Sequence, residues 1–463
     1  MDMLLSALAS DIASRIISFL VAKYQKQATT EKMIRLHQLL LRARTVIQEA
    51  DCRYISNQGM LLQLRQLRKL VFESHHVLDT FKGQAQVSSQ SFDLNRIQVT
   101  MESLESAIGG LKEFAVFLMD CPRILRQPYS TYLFMERCMF GRHMEKHHIV
   151  NFLMQPSGSS LLQVLPVVGP VEIGKRTLVE HVLEEETVQK KFSRVVRLKS
   201  DDLNNLQNDG AMKRHKLISP SERCIIVVEL EHDADLVAWT RFHSWLSKMN
   251  IVSKVILISG LHKASRLGTT QALVLKRMHP DEFWYFFRTL CFGSENPDEH
   301  QVLLSIAMKI APLMKGAFLC AHILSRLLRA NLSAQYWRHI LDLKIKGVKL
   351  HLEVFGEHST DRIGKSRSYI VSNYIPDDHT VILCNSIHRR SLGWVDRGVP
   401  KIMVEDIINR SAAIPSEGEI EVLLWQSPIA PYYSYMGNCV IKKASHVVPK
   451  ERCLKRKRWT MKA

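Results

Sequence analysis

The residues of this chain that are best suited to chemistry lie in one short glycine-containing stretch behind an apolar run. Gly169 and Gly174 bracket the stretch, and Lys175, Arg176 and Thr177 complete it, so that it fits the pattern G-x-x-x-x-G-K. In this pattern the glycines turn backbone N–H groups toward an anion, the following helix directs its positive end at phosphate, and the lysine reaches the terminal phosphates. We therefore predict a phosphate-binding loop with these five residues as nucleotide ligands.

Arg176 departs from the pattern, because a serine or threonine hydroxyl normally stands there and binds Mg²⁺. An arginine places a cation near the magnesium position instead. The acid that usually completes the metal site ends a strand, and the apolar run after Cys224 ends in Glu229, followed by Leu230 where a second acid is usual. Glu229 is either a degenerate metal-side acid, one methylene longer than aspartate, or the end of an ordinary buried strand. We predict no metal site and no catalytic residue.

The first 121 residues carry apolar side chains three and four positions apart, which is the period of amphipathic helices. There are four such stripes, and they begin at Leu4, Met33, Leu61 and Ile97. A polar stretch at 83–93 is predicted to be the loop before the last stripe. Four amphipathic helices with short connections predict a four-helix bundle at 1–121.

A different periodicity begins after a proline-containing linker at 122–138. Short apolar strands alternate with helix-length intervals, and they lie at 161–168, 195–198, 225–228 and 255–258. Such alternation predicts a parallel sheet covered by helices, so residues 139–275 are expected to be a P-loop α/β nucleotide-binding domain. Residues 276–350 return to helical spacing and are expected to be a helical subdomain.

The last third of the chain gives weaker signals. Strands are predicted at 369–371, 381–383, 402–404 and 420–424, which indicates a small mixed α/β region of unknown role at 351–448. Residues 449–463 form a basic tail that binds nucleic acid, directs nuclear import or serves as a solubilising end. The chain as a whole is predicted to be a multidomain α and α/β protein.

Net charge, cysteine spacing and the apolar N-terminal stretch indicate which partners and which cell compartment to expect. The chain has 463 residues and a formal net charge of +18, which favours acidic partners such as nucleotides, nucleic acid or an anionic membrane surface, or else reflects scattered solvated cations. Its nine cysteines form no CxxC pair, so we expect reduced thiols and neither zinc nor disulfides. Asp11 and Arg15 interrupt the apolar stretch at 3–22, which argues against a signal peptide or a spanning helix. We expect a cytoplasmic protein, with the basic tail as a candidate nuclear-import signal.

The order of these elements resembles the NB-ARC module of plant NLR immune receptors. Phe140, Gly141 and Arg142, followed by Glu145 and Ile149, are similar to the family segment that opens the module and lies against adenine. The resemblance therefore implies that the first three of these residues contact the nucleotide.

Two further family motifs are present in altered form. Residues 253–258 resemble the fourth strand of the module, which in the family runs into an arginine that senses the terminal phosphate; Ser259 and Gly260 follow in this chain instead. Residues 316–319 stand where the family has Gly-Leu-Pro-Leu, and Phe318 replaces the proline that packs near adenine. The resemblance implies that Phe318 lies on the adenine side of the helical subdomain.

Residues 71–79 look like the acidic signature of the coiled-coil type N-terminal domain of these receptors, with His75 and His76 in place of two acids. In the family these acids contact leucine-rich repeats, and the sequence shows no such repeats. The resemblance extends over residues 1–345, so we interpret the chain as a truncated NLR-type protein.

The resemblance implies a plant immune protein with a degenerate nucleotide-binding module. We expect the module to hold ADP or to serve as a scaffold, and the N-terminal helices to bind other helical N-terminal domains or NLR proteins, as a homo- or hetero-oligomer. The hydroxyl, the second acid and the sensor arginine are all missing, and single electrostatic contacts of this kind contribute roughly tenfold to a thousandfold in rate. We therefore expect no ATP hydrolysis and no need for a metal.

Two alternative functions stay open at this point. One is a working P-loop ATPase switch, and the other is a nucleic-acid-binding protein that uses its basic surface, although no recognised motif marks a clear nucleic-acid site. Contact with a membrane is expected only conditionally, through the first helix, because Asp2 and Asp11 make insertion costly.

Overall fold

The structure is a computed structural model that describes residues 30–51, 53, 55–84, 90–122, 140–156, 162–170, 173–199, 202–203, 223–230, 235–248, 253–356, 358, 369–372, 379–390, 402–409, 418–426 and 433–443. The predicted first helix, most of the linker at 122–138 and the basic tail lie outside the described residues. The chain divides into two units, residues 1–129 with 298–305 and residues 130–297 with 306–463.

The first unit is helical. Its helices are α1 (30–51), α2 (Gln58–Gln84), α3 (Gln90–Gly109) and α4 (Lys112–Met119). The apolar stripes predicted from the sequence form its core, with buried side chains that include Leu36, Leu40, Ala43, Leu64, Leu67, Val71, Leu78, Ile97, Met101 and Leu104. Removal of these side chains from water stabilises the unit, at about 25 cal/mol for each Å² of apolar surface.

Two sequence predictions for this unit need correction. The last predicted helix is divided in two, because Gly109 and Gly110 interrupt it and glycine is among the poorest residues for a helix interior. Gly110 N donates to Ser106 O, and Leu111 N donates to Ile108 O, which closes the turn between α3 and α4. The loop predicted at 83–93 is wrong at both ends, since α2 continues to Gln84 and α3 includes Gln90 and the residues after it.

The second unit contains a five-stranded parallel sheet. Its strands are β1 (Leu162–Val168), β2 (Arg194–Leu198), β3 (Cys224–Leu230), β4 (Ser253–Ser259) and β5 (Leu273–Val274), in the order β2-β3-β4-β1-β5. The sheet confirms the parallel α/β domain predicted from the sequence. The fifth strand was not predicted, because two residues are too few to give a periodic signal.

Helices cover both faces of this sheet. They are α5 (His143–Met154), α6 (Lys175–Leu183), α7 (Glu186–Lys191) and α8 (Asp235–Lys248). On one face Trp239 and Phe242 of α8 pack against Val255, and on the other Ile149 and Leu178 pack among the opposite side chains of the strands. Burial on both faces explains why these strands read as continuous apolar runs.

The chain then returns to helices, as expected. They are α9 (Pro280–Phe292), α10 (Gln301–Ile310), α11 (Phe318–Ala330) and α12 (Ala334–Phe355). Trp337 fixes the turn between the last two, because its Nε1 donates to Leu328 O and to Asn331 O, at 2.9 Å each.

An antiparallel sheet of four described strands follows. It consists of β6 (Tyr369–Ser372), β7 (His379–Arg390), β8 (Gly418–Gln426) and β9 (Tyr433–Lys443), in the order β6-β7-β9-β8, together with a short helix α13 (Val404–Asn409). Its apolar core packs against α11 through Leu319 and Ile323, and the His322 ring lies 4.8 Å from the Trp425 ring. The C-terminal sheet is thus attached to the helical subdomain.

The strand predicted at 402–404 is wrong. Met403 makes a single bridge to Leu423, and a helix begins at the next residue. The cause is a capping contact, in which Met403 N donates to Asp406 Oδ2 at 2.9 Å and satisfies a backbone group at the helix start.

Among the residues that the structure describes, no helix is long and apolar enough to cross a membrane.

Candidate nucleotide-binding site

The predicted phosphate loop connects the end of β1 to the start of α6. Gly169 has φ 154° and a Cβ there would lie 2.4 Å from Leu275 O, so only glycine fits. Gly174 has φ 82°, in the left-handed region, and stands at the N-cap of α6 without a side-chain capping bond among the described residues. The first N–H groups of α6 therefore keep the capacity to bind an anion. Residues 171 and 172 of the loop lie outside the described residues.

Lys175 is folded back on the loop that precedes it. Its Nζ donates to Gly169 O at 2.8 Å and to Pro170 O at 2.6 Å. The pKa of Lys175 is lowered to about 8, mainly by burial and also by the neighbouring charge of Arg176, while Glu229 opposes both effects. A bound phosphate would favour the charged lysine and would replace the two carbonyl oxygens as its partner.

Arg176 and Glu229 form an ion pair at the position where a P-loop protein holds its metal. Arg176 donates through Nε to Glu229 Oε1 and through Nη2 to Glu229 Oε2, which is a bidentate contact. The side chains are 25% and 13% exposed, respectively. The pair joins the first turn of α6 to the end of β3, and residues 53 apart in the chain meet there.

A second bidentate pair of the same kind lies one helical turn further along α6. Arg197, on β2, donates through Nε to Glu180 Oε1 at 2.8 Å and through Nη2 to Glu180 Oε2 at 2.7 Å. The hydrogen bonds to Glu180 come first among the causes that raise the pKa of this arginine. Glu180 is 10% exposed and Arg197 is 38% exposed, so this arginine also reaches water.

The residues at the end of the fourth strand, where the family has the segment with the sensor arginine, include a structural serine. Ser259 Oγ donates to Leu230 O at 2.9 Å and accepts from Leu261 N at 3.1 Å, while Ser259 O accepts from Gly169 N at 3.3 Å. Ser259 therefore connects the ends of β3 and β4 to the start of the phosphate loop. A buried serine with these three bonds supplies no positive charge.

The segment 275–278, which sequence reasoning did not single out, contacts the phosphate loop. Leu275 N donates to Val168 O at 2.8 Å, and Leu275 O lies against Gly169. The sequence boundary predicted between 275 and 276 passes through this segment. A short apolar run that ends in Lys276 and Arg277 is the signal that could have identified it.

The same segment contacts the two other predicted parts of the site. Arg142 donates through Nη2 to Lys276 O, and Arg142 Nη1 lies 3.2 Å from Glu145 Oε1. A Cβ at Gly141 would come 2.5 Å from Met278 Cε, and Arg277 Nη1 donates to Lys315 O, next to Gly316. Residues 275–278 thus bring together the phosphate loop, the opening segment and the start of α11.

Aromatic rings join the opening segment to the helical subdomain. The buried Phe140 ring stacks on Phe286 at 5.5 Å and on Tyr285 at 6.2 Å, and Phe318 meets Phe286 edge-on at 5.0 Å. The two residues predicted to lie near adenine, Phe140 and Phe318, therefore contact the same ring, that of Phe286 on α9. The lining of the predicted adenine side is apolar and aromatic, as base-binding surfaces commonly are.

Curated relatives of the chain carry disease resistance names. The chain is 22% identical over 349 residues to the putative disease resistance protein RGA1 of Solanum bulbocastanum, and 23% identical over 350 residues to the disease resistance protein RGA2 of the same plant. Each alignment covers 67% of this chain, and it spans 35% and 36% of the two relatives, respectively. A probable disease resistance protein of Arabidopsis thaliana is 20% identical over 81% of this chain and 47% of its own length.

Comparisons with solved structures and with protein-family profiles do not identify a family for the chain. Domain III of the Thermotoga maritima replication initiation protein DnaA is 16% identical and covers 50% of this chain and 92% of its own, at a TM-score of 0.28, which is too low to establish a shared fold. No protein-family profile matches the chain. The sequence relatives agree with the resemblance carried by the motifs, and the chain is similar to plant disease resistance proteins of the NLR type.

Proposed function

We propose that this chain is an NLR-type plant immune component whose P-loop module holds ADP without a metal ion and does not hydrolyse ATP. The single observation that carries the proposal is the bidentate contact of Arg176 with Glu229. Arg176 stands in place of the metal-binding hydroxyl, and Glu229 is the acid expected to face the metal. In this chain the two side chains neutralise each other.

The loop has the features that a diphosphate needs. Gly169 and Gly174 leave space and backbone freedom, the first turn of α6 presents N–H groups, and Lys175 supplies a cation that can move from carbonyl oxygens to phosphate. Thr177, on the first turn of α6, would hydrogen-bond to the phosphate nearest the sugar. The base would lie beside Phe140, Gly141, Arg142 and Phe318, at the aromatic contact around Phe286.

Magnesium does not fit this arrangement. A Mg²⁺ ion binds oxygen ligands in octahedral geometry and is usually bound by one or two carboxylates together with the substrate phosphates. In this chain the side chain at 176 is a cation, and the carboxylate oxygens of Glu229 both accept from it. Hydrolysis would lack the ion that neutralises the developing charge on the phosphates, and it would also lack the sensor arginine.

Calorimetry on the purified chain tests the nucleotide part of the proposal. ADP is expected to bind with the same affinity in excess EDTA and in Mg²⁺, and ATP turnover is expected to equal that of a Lys175→Ala control. An affinity for ADP that collapses on chelation, or a turnover well above the control, would refute the proposal and restore the ATPase alternative.

The helical unit is proposed to bind partners through α4. Three large apolar side chains on this short helix are 57% to 70% exposed: Val116, Phe117 and Met119. Such a concentration of exposed apolar surface is typical of a protein contact. The expected partner is the corresponding helical domain of a second copy or of another NLR protein, in the cytoplasm.

Phe117→Glu is expected to weaken self-association of the full chain at least tenfold, because it puts a charge in an apolar contact. It should leave the melting temperature nearly unchanged, since the side chain is exposed. Sedimentation at several concentrations measures the monomer and the oligomer. Leu41→Glu, at another exposed apolar position, on α1, is the matched control. An unchanged dimer or a monomeric wild-type chain would count against this surface.

A further inference from the structure

The carboxylate of Glu229 occupies the edge of the Arg176 guanidinium to which a phosphate would hydrogen-bond. The guanidinium donates through Nε and Nη2 to both carboxylate oxygens, and a bidentate contact with two phosphate oxygens needs a pair of donors in the same fork geometry. The same two donors cannot serve both anions at once. A phosphate that binds through this edge of Arg176 must therefore displace Glu229.

The position of the pair indicates which phosphate would meet it. Arg176 is the second residue of α6, and Glu229 is the last residue but one of β3. In P-loop proteins the residue after the lysine and the acid of this strand hold the metal that bridges the second and third phosphates. A third phosphate without a metal would therefore approach the carboxylate directly.

The cost of that approach follows from charge and burial. Glu229 is 13% exposed, so water screens its charge less than it would at the surface. Two like charges at close range repel more strongly at the effective dielectric constant of a protein site than they do in water. A diphosphate held by Lys175 and the start of α6 ends before this point, and it leaves the pair intact.

We propose that Glu229 is a specificity-determining residue, which lets the loop accept a metal-free nucleoside diphosphate and reject the metal-free triphosphate. The inference rests on the proposed function, because it concerns the same nucleotide site. Removal of the negative charge at 229 releases Arg176 toward the third phosphate and removes the repulsion, so that triphosphate binding gains from both effects.

Glu180 provides the matched control for this residue. It makes the same bidentate contact with an arginine and is also largely buried, but it lies on α6, four residues after Arg176, and its arginine partner lies on β2. Glu180→Gln therefore removes the same charge and disturbs a pair of the same chemistry, away from the loop. Any effect that Glu229→Gln has through general loss of an ion pair should appear in Glu180→Gln as well.

The experiment compares the affinities of ADP and ATP in excess EDTA for the full chain, for Glu229→Gln and for Glu180→Gln, by calorimetry. The wild-type chain is expected to prefer ADP by at least tenfold. In Glu229→Gln the affinity for ATP should rise at least tenfold and that for ADP much less, so that the preference disappears. In Glu180→Gln the preference should stay as in the wild type. Equal affinities in the wild type, or an unchanged preference in Glu229→Gln, would overturn the inference.

Two further measurements keep the outcome decisive. If Glu229→Gln does not fold, Arg176→Gln combined with Glu229→Gln replaces the ion pair by two amides that can still hydrogen-bond, and this variant should bind ADP and ATP equally and weakly; a surviving ADP preference overturns the inference. If the wild-type chain binds neither nucleotide, the proposed function fails. In that case Glu229→Gln alone decides the inference. This variant should bind metal-free ATP, and if it does not, the inference about Glu229 is overturned as well.

Discussion

Two regions of one helix show how the same side-chain chemistry differs with position. The start of α6 is tied to β3 by Arg176 and Glu229, and its second turn is tied to β2 by Arg197 and Glu180. Both contacts are bidentate and both carboxylates are largely buried. Only the first region also contains the glycine loop, the N–H groups of the helix start and Lys175. The comparison therefore sets an ion pair that we propose competes with a ligand against one that we expect only to stabilise the fold.

The largest effect is expected when the first region loses the lysine that is proposed to bind phosphate. Lys175→Ala should weaken ADP binding about 100-fold, because a hydrogen bond to a charged group contributes about 1.5–3 kcal/mol and the charge itself is also lost. Calorimetry measures the loss, and circular dichroism checks that the chain stays folded. An affinity within threefold of the wild type would mean that the first region is no more a phosphate site than the second.

A change of pH should act through the same lysine. The pKa of Lys175 is lowered to about 8, so the free loop loses the charge that phosphate needs as the pH rises through this value. ADP affinity is expected to fall about tenfold between pH 7 and pH 9, since binding then requires uptake of a proton. Lys175→Arg should bind with little dependence on pH over this range, because an arginine stays charged. Equal pH profiles for the two proteins would contradict the assignment.

Restoring a hydroxyl should convert the first region toward a metal site. Arg176→Thr removes the cation that holds Glu229 and supplies an oxygen ligand, so ATP binding is expected to become several-fold tighter in Mg²⁺ than in EDTA. The same titration on the wild-type chain should show no gain from Mg²⁺. If the affinity for ATP is the same in Mg²⁺ and in EDTA for both proteins, Glu229 does not face the phosphates.

The smallest effect is expected in the second region. Glu180→Gln should lower the free energy of unfolding by about 1–2 kcal/mol, because Arg197 loses a charged partner but is exposed enough to find water. Chemical denaturation measures this loss. ADP affinity should stay within twofold of the wild type, and a larger change would mean that the two regions do not act independently.

The sequence predicted the parts of this molecule that depend on local pattern. Residues 162–168, 194–198, 224–230 and 253–259 are strands close to their predicted bounds, because strands buried on both faces are continuous apolar runs. The stripes that begin at Met33 and Leu61 are likewise helical. The order of motifs also led to the NLR family, which the sequence relatives support.

Features that depend on contacts between distant residues were harder to predict. The sequence placed a cation at 176 near the metal position, but not its contact with Glu229, because no spacing rule links residues 53 apart. The segment 275–278 was divided between two domains, since its contacts with Gly169, Arg142 and Lys315 are long-range. Strand β9 was missed because Gly437 and Asn438, both poor strand formers, interrupt its pattern.

The pairing of Arg176 with Glu229 also favours one order in which single substitutions could build a metal site. Replacing Glu229 first would leave a partly buried arginine without its bidentate partner, and breaking a buried pair from one side costs roughly 3–5 kcal/mol. Replacing Arg176 first leaves a carboxylate that a divalent cation in the cell can neutralise. Of the two single substitutions, the one at position 176 is therefore the less costly first step toward a metal site.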